Sequence, residues 1–230
     1  MTLRRPDPDD LSPALCQSLF VAGTDTAVGK TWVATRLLNA WVAAGYRAAG
    51  MKPVAAGADL TPDGLRNEDA LALLAAGNVP MPYGRCNPVC LPRPTSPHLA
   101  AREAGIDIDI ELIAREYRTI VSETDVILVE GAGGWFAPIT ETTSTMADIA
   151  QALGLPVLLV VGIRLGALSH ALLTAEAIVH SGLPFAGWIA NPIDPRFPDG
   201  AAYVDCLERR LPAPRLVIAE TRLRSVPATG

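Results

Sequence analysis

Lysine is almost missing from this 230-residue chain: of its 19 basic residues only Lys30 and Lys52 are lysine, and all the others are arginine. A nucleotide bias in the encoding genome accounts for the general excess of arginine, but not for the two positions that keep lysine. An ammonium is a compact point charge with freely rotating donors, which a planar guanidinium fork cannot imitate. Both lysines are therefore candidates for chemistry before any motif is sought. Long apolar runs are scarce too, and the longest, Leu155 to Ile163, falls far short of the roughly 20 residues a membrane-spanning helix needs. The opening stretch MTLRRPDPDDLSPALCQ carries no apolar core of a secretory signal. Cysteine is limited to Cys16, Cys86, Cys90 and Cys206, which form no disulfide framework in a chain of this size. Cys86-Asn-Pro-Val-Cys90 lacks the second Cys or His pair that a zinc site requires. A formal net charge of -5 argues against nucleic-acid and anionic-membrane partners. A cytoplasmic protein with reduced cysteines is expected.

What is present is core material: half of the residues are apolar, and 19 glycines and 20 prolines are scattered as loop punctuation. The length fits one domain. Residues 1–17, rich in Pro and Asp, read as an N-terminal extension, and 18–230 as a single P-loop α/β domain. Short apolar runs alternate with helical periodicity. Strands are predicted over Ser18 to Ala22, Arg47 to Val54, Asp125 to Val129, Pro156 to Gly162 and Phe185 to Ala190. Helices are predicted over Lys30 to Ala44, Asn67 to Ala76, Ile108 to Glu123, Thr145 to Leu153 and Gly166 to Ser181, with a Pro-rich connection from Pro80 to Pro97. Continuously apolar strands separated by helices imply a mostly parallel sheet covered by helices on both faces. Ligands of such sheets bind beyond the carboxyl ends of the strands.

Those ends carry the chemistry. Gly23-Thr-Asp-Thr-Ala-Val-Gly-Lys-Thr31 follows the first strand and opens into a helix, the context of a phosphate loop. Its backbone N–H groups and helix N-terminus suit a polyphosphate, with Lys30 on the terminal phosphates and the Thr31 hydroxyl on magnesium. Five residues separate Gly23 from Gly29, one more than the strict pattern allows. Lys52 ends the second strand, where a simple surface lysine is the alternative reading. Asp69 and Glu130 are acids within reach of a magnesium, which typically takes one or two carboxylates. A carboxylate ending an apolar strand is costly without a partner, which favours Glu130; Asp69 could equally cap its own helix. Asn191 ends the last strand with a carboxamide suited to an adenine edge, or it is a turn residue before Pro192.

In order along the chain stand GTDT-x-VGKT, Gly50-Met-Lys-Pro-Val54, Leu65-Arg-Asn-x-Asp-Ala-Leu71, Pro94-Thr-Ser-Pro-His98, Val129-Glu-Gly-Ala-Gly-Gly-Trp135, Val160-Val-Gly-x-x-Leu-Gly166 and Ala186-Gly-Trp-x-Ala-Asn191. Over roughly residues 18–214 this layout resembles the dethiobiotin synthetase family, whose phosphate loop has the same one-residue expansion. The resemblance implies a P-loop NTPase-like fold and an ATP-dependent ring closure of 7,8-diaminopelargonate with CO2, giving dethiobiotin, ADP and phosphate. One amine would take up CO2 as a carbamate, which attacks the γ-phosphate, and the second amine would close the ring on the mixed anhydride. It further implies Lys30, Lys52 and Thr26 as catalytic residues, and Thr26, Lys52 and Ala56 as substrate contacts. Nucleotide contacts would come from Ala27, Val28, Gly29, Lys30, Thr31, Trp32, Asp69, Glu130, Gly131, Ala132, Gly133 and Asn191, and Mg2+ would sit on Thr31, Asp69 and Glu130. The family is homodimeric, and the helix from Gly166 to Ser181, apolar on more than one face, suits burial against a partner.

Three positions depart from the family pattern. Ala27 stands where glutamate is common, Ala56 where serine is common, and Arg215 to Gly230 diverges from the adenine-side segment. Two other readings compete. A nucleotide switch of the partitioning type would carry an extra early lysine in the loop, and this loop has none. An amide-forming relative acting on a corrin ring would need an added glutaminase region, for which the chain has neither the length nor a convincing cysteine nucleophile.

Overall fold

The computed structural model describes residues 12–218. Its centre is a five-stranded, all-parallel sheet of β1 (Leu19–Gly23), β2 (Ala48–Met51), β7 (Val126–Glu130), β8 (Val157–Ile163) and β9 (Phe185–Pro192), in the order β2-β7-β1-β8-β9. The first four of these elements in chain order are apolar at nearly every position and buried along their whole length, as strands covered on both faces must be. Alternate residues enter two separate cores. Leu19, Val21, Leu128 and Leu158 face α1 (Lys30–Ala43) and α2 (Glu68–Ala76), which contribute Val33, Leu37, Trp41 and Leu73. Phe20, Val129, Leu159 and Val161 face the other core, with Ile113 of α5 (Ile110–Val121), Ile149 of α6 (Met146–Leu153) and Ile178 of α7 (Ala167–His180). Asp109 caps α5 through Glu111 N, and Thr145 with Asp148 forms a capping box on α6, so both helices begin where their caps dictate.

The predicted strand over Arg47 to Val54 is in fact two. β2 stops at Met51, and β3 (Val54–Ala56) pairs with β6 (Val89–Leu91) in a separate parallel ribbon. The break has a local cause: Pro53 has no N–H to donate, and the Lys52 N–H goes to Cys86 O at 2.8 Å instead of to a sheet neighbour. Between them a hairpin forms from β4 (Asp59–Thr61) and β5 (Gly64–Arg66). The Pro-rich connection is also structured, holding the one-turn helix α3 (Tyr83–Cys86) and β6 before α4 (Pro97–Ala104) begins. Helix α8 (Gly200–Glu208) follows β9.

At the N-terminus the expected extension needs correction at its inner end. Pro13–Leu15 forms a 3-10 turn, Leu15 is fully buried, and Trp41 Nε1 donates to Leu15 O at 2.5 Å. Residues 1–11 of that extension, and the divergent tail beyond 218, lie outside the described residues. Among the described residues no helix is long and apolar enough to cross a membrane.

Candidate active site

The carboxyl ends of β1, β2 and β7 open on one cavity of about 680 Å³. Its floor is the loop between β1 and α1. Gly29 ends that loop with φ +90, and a Cβ there would collide with the Asn191 carboxamide nitrogen, so the last turn of the loop closes only on glycine. No side chain caps α1, whose first residues Lys30 and Thr31 line the cavity together with Gly29. Uncapped first-turn N–H groups are an anion site in waiting. Ala27 holds φ +57, the left-handed conformation that a side chain adopts at some cost. Asp25 organises the same loop twice over: its carboxylate accepts from Thr26 N (2.7 Å) and from Arg164 Nη2 (2.6 Å), and its carbonyl accepts from Lys30 Nζ (2.9 Å).

Two strand ends and the start of α2 bring the charges together. Lys52 Nζ lies 2.5 Å from Glu130 Oε1 and 2.9 Å from Asp69 Oδ2, and Thr31 Oγ1 donates to Glu130 Oε1 at 2.8 Å. Glu130 is fully buried, Lys52 nearly so, and Asp69 half-buried at the start of α2. A buried carboxylate alone would be prohibitive; beside an ammonium and a hydroxyl it is tolerated. The two lysines then diverge. Burial, with the Lys52 charge nearby, pushes Lys30 down to about 8 against the pull of the Glu130, Asp69 and Asp25 carboxylates; among the described residues its ammonium is hydrogen-bonded to a backbone carbonyl and to no carboxylate. Burial also works against the charge of Lys52, but the Glu130 and Asp69 carboxylates outweigh it and hold Lys52 above the ordinary lysine range. Asp69 likewise sits below the ordinary carboxylate range, the Lys52 charge outweighing its burial.

Magnesium fits the donor set. Glu130 Oε2 is buried and has no hydrogen-bond partner among the described residues, an orphaned carboxylate oxygen beside the Thr31 hydroxyl and near Asp69. Hard oxygen donors of this kind suit Mg2+ bound alongside a polyphosphate.

Of the residues singled out from sequence, Thr26, Ala27, Gly29, Lys30, Thr31 and Lys52 line the cavity, as do Ala56, Asp69, Glu130, Ala132 and Gly133. Gly131 is at its back, where its carbonyl accepts from Lys52 Nζ at 3.4 Å. Val28 is buried beneath the loop, and its carbonyl accepts from Asn191 Nδ2 at 2.8 Å, so Asn191 braces the loop with one of its two amide hydrogens. Trp32 is not part of the cavity wall: it is half-exposed on α1 with the Arg36 guanidinium 3.9 Å from its ring centroid. Sequence reasoning did not single out Asn67, which caps α2 and lines the cavity, nor the Asp25–Arg164 pair. Asn67 followed by the acidic pair Glu68 and Asp69 was a legible capping signal; the Arg164 contact spans 139 residues and leaves no local trace.

Comparison with known proteins places this site in a family context. A family model described as an AAA domain, AAA_26, matches residues 17–225. The chain is 48% identical over 197 residues to the ATP-dependent dethiobiotin synthetase BioD 1 of Salmonella typhi, covering 86% of each. It is also 48% identical to the ATP-dependent dethiobiotin synthetase BioD of Xanthomonas euvesicatoria pv. vesicatoria (strain 85-10), covering 86% of this chain and 88% of that one. Among solved structures, the signal recognition particle 54 kDa protein of Aeropyrum pernix K1 in complex with GDP superposes with a TM-score of 0.53 at 18% identity, over 91% of this chain and 42% of that one. A ParA family ATPase from Chlorobium tepidum TLS gives 0.51 at 14% identity, over 86% and 84%. At these identities the likeness is one of fold: a P-loop NTPase-like parallel sheet, the sheet as the strand pattern predicted and the P-loop type as the resemblance implied.

Proposed function

The chain belongs to the family of ATP-dependent dethiobiotin synthetases, and from that premise we propose how its own residues close the cyclic urea of dethiobiotin from 7,8-diaminopelargonate, CO2 and ATP. It is an ATP-dependent ligase. One amine of the diamine adds to the carbon of CO2 and loses a proton, giving a carbamate. A carbamate oxygen attacks the γ-phosphorus, and the bond to the bridging oxygen breaks with ADP leaving. The second amine then attacks the carbamoyl carbon, phosphate leaves with the bonding pair, and the proton lost from nitrogen passes to solvent or phosphate.

Two anions must approach each other in the middle of this sequence, so positioning and cationic stabilisation are what the protein has to supply. Lys30, on the loop and at the first turn of α1, holds the terminal phosphates. Lys52 faces the same cavity from the β2 end and offsets the charge gathering between carbamate and γ-phosphate. Thr26, exposed on the loop, and the wall at Ala56 contact the diamine. Thr31, Asp69 and Glu130 would hold the Mg2+, which when bound supplies charge neutralisation on the phosphate oxygens. Loop N–H groups from Ala27 to Thr31 and the segment Gly131 to Gly133 contact the phosphates, with Val28 and Trp32 beneath and beside the loop. Asn191, already fixed against Val28 O, presents its remaining amide groups to the nucleotide base.

The observation that carries this reading is the buried meeting of Lys52 with Glu130 and Asp69 across the cavity from Lys30. A homodimer is part of the reading: Leu165, just before α7, and Leu173 and Val179 on it are exposed apolar side chains that a second copy could cover. So is a cytoplasmic location, where ATP and the diamine are at hand. The test is phosphate release with ATP, bicarbonate and 7,8-diaminopelargonate, omitting each in turn. Release that requires all three, with dethiobiotin formed in equal amount, is expected. Diamine-independent hydrolysis without dethiobiotin would sink the reading.

A further inference from the structure

Lys52 interrupts the sheet, so its backbone needs another anchor, and the short turn of α3 provides it. The Lys52 N–H donates to Cys86 O (2.8 Å), and the Lys52 carbonyl accepts from Asn87 Nδ2 (2.7 Å). Asn87 is buried and fully engaged. The same nitrogen also donates to Val89 O (3.1 Å), and its Oδ1 accepts from the Tyr83 hydroxyl (2.9 Å). The Tyr83 oxygen in turn accepts from Asn67 N (2.8 Å), and Asn67 is the N-cap of α2, taking Ala70 N on its own side chain. Helix α2 carries Asp69, whose carboxylate returns to Lys52 Nζ. The path Lys52–Asn87–Tyr83–Asn67 is therefore a chain of hydrogen bonds, and the backbone of α2 from Asn67 to Asp69, with the Asp69–Lys52 pair, closes it into a ring. Neither Tyr83 nor Asn87 lines the cavity.

We propose that Tyr83 and Asn87 are positioning residues for ring closure: through the backbones of Lys52 and Asn67 they fix the strand end that carries the ammonium against the helix that carries Asp69. The phenol is suited to the task. Burial pushes its titration above the ordinary tyrosine range, so the hydroxyl keeps the one proton it gives to Asn87 while its lone pair takes Asn67 N–H. Without that hydroxyl, the Asn67 N–H and the Asn87 carbonyl lose their common partner in a largely buried setting. The start of α2 and the Lys52 strand end then relax independently to recover bonds. A displacement of about 1 Å at a reacting group can cost on the order of 100-fold in turnover, because the geometry was pre-set. The Arg66 guanidinium over the Tyr83 ring, 4.3 Å from its centroid, needs only the ring and would survive loss of the hydroxyl.

This inference rests on the catalytic reading of Lys52, and its test separates the two. Turnover and KM for ATP are measured in Tyr83→Phe, Lys52→Arg and the double variant, with ATP, bicarbonate and 7,8-diaminopelargonate. Tyr83→Phe is expected to lower kcat by about 10-fold or more and to leave KM for ATP within a factor of about two, since the loop around Lys30 is untouched. Added to Lys52→Arg it is expected to cost no further turnover, because the ammonium it positions is already gone. Full kcat in Tyr83→Phe beside a crippled Lys52→Arg overturns the positioning role and leaves the site reading intact. So do losses that simply multiply in the double variant, the mark of general destabilisation. Wild-type turnover in Lys52→Arg overturns the site reading and the positioning role with it. Should Tyr83→Phe yield no folded protein, Asn87→Asp keeps the shape and the acceptor for the Tyr83 hydroxyl but removes the donor to Lys52 O. It runs the same cycle with the same outcomes.

Discussion

The two lysines of this chain stand in one cavity and live in opposite surroundings. Lys30 comes from the loop side, where a backbone carbonyl is its one bonded partner and burial works against its charge. Lys52 comes from the end of β2, where two carboxylates overcompensate the same penalty. An under-compensated ammonium gains most when a polyphosphate arrives; a compensated one keeps its proton throughout and serves as a fixed charge. On the proposed reading, the site divides its labour between a cation that waits for the nucleotide and a cation that is already held in place.

The contrast is broken most severely at Glu130. Glu130→Gln leaves the buried Lys52 ammonium with Asp69 as its remaining carboxylate partner, and removing one partner of a buried ion pair costs about 3 kcal/mol or more. Urea unfolding is expected to show a loss of that order, with turnover falling further than stability accounts for and the magnesium titration displaced to higher concentration. Unchanged magnesium dependence in a destabilised but active protein would make Glu130 structural only.

A gentler handle is pH. Lys30 titrates at about 8 in the folded protein, below its ordinary 10.5, so its charge is present below that pH and fades above it. Nucleotide affinity, read with a non-hydrolysable ATP analogue, is expected to weaken as pH rises from 7 to 9, by roughly 10-fold if only the charged form binds. Lys30→Arg, charged throughout, should flatten the profile. Stability moves the other way: between about 8 and 10.5 the unfolded chain binds the proton more tightly than the folded one, so the nucleotide-free protein gains stability with rising pH over that window. An affinity profile that falls equally in Lys30→Arg would mean that another group governs it.

Much of this arrangement could be read from residues in order. Apolar strands ending in Gly23, Lys52, Glu130 and Asn191 announced a parallel sheet with its ligand site at the carboxyl ends, and the loop before α1 announced phosphate. What could not be read was whatever depends on meeting at a distance. That Lys52 and Glu130, 78 residues apart, form an ion pair follows from β2 and β7 being neighbours, with Met51 in register with Val129. The break after Met51 was signalled by Pro53, which a central strand excludes, but the predicted strand ran through it, and only the Cys86 carbonyl shows where the hydrogen bonding of Lys52 went. The segment from Pro80 to Pro97 reads as loop by composition, yet its one-turn helix holds the Lys52 backbone. Leu15 was misassigned because the residues before it are polar and Pro-rich, while its burial depends on Trp41, 26 residues further on.

The smallest expected effect lies on the loop side. Arg164 and Asp25 are both substantially exposed, so their pair contributes no more than about 1 kcal/mol. Arg164→Ala is expected to raise KM for ATP by a few-fold at most while kcat holds, because Asp25 keeps its bond to Thr26 N and its carbonyl keeps Lys30. A fall in kcat with KM unchanged would move Arg164 from loop support to the reacting groups.

The division of labour is tested most directly by the turnover of Lys52→Arg, measured as dethiobiotin formed at saturating ATP, bicarbonate and diamine, with nucleotide affinity measured on the same preparation. This chain uses arginine almost everywhere else that it needs a cation, so a surface role for Lys52 would tolerate the exchange. With the ammonium held between Glu130 and Asp69, the planar guanidinium cannot occupy the same point. The expected result is a loss of about 100- to 1000-fold in turnover with nucleotide affinity nearly unchanged. Turnover within a few-fold of the unaltered protein would contradict the account.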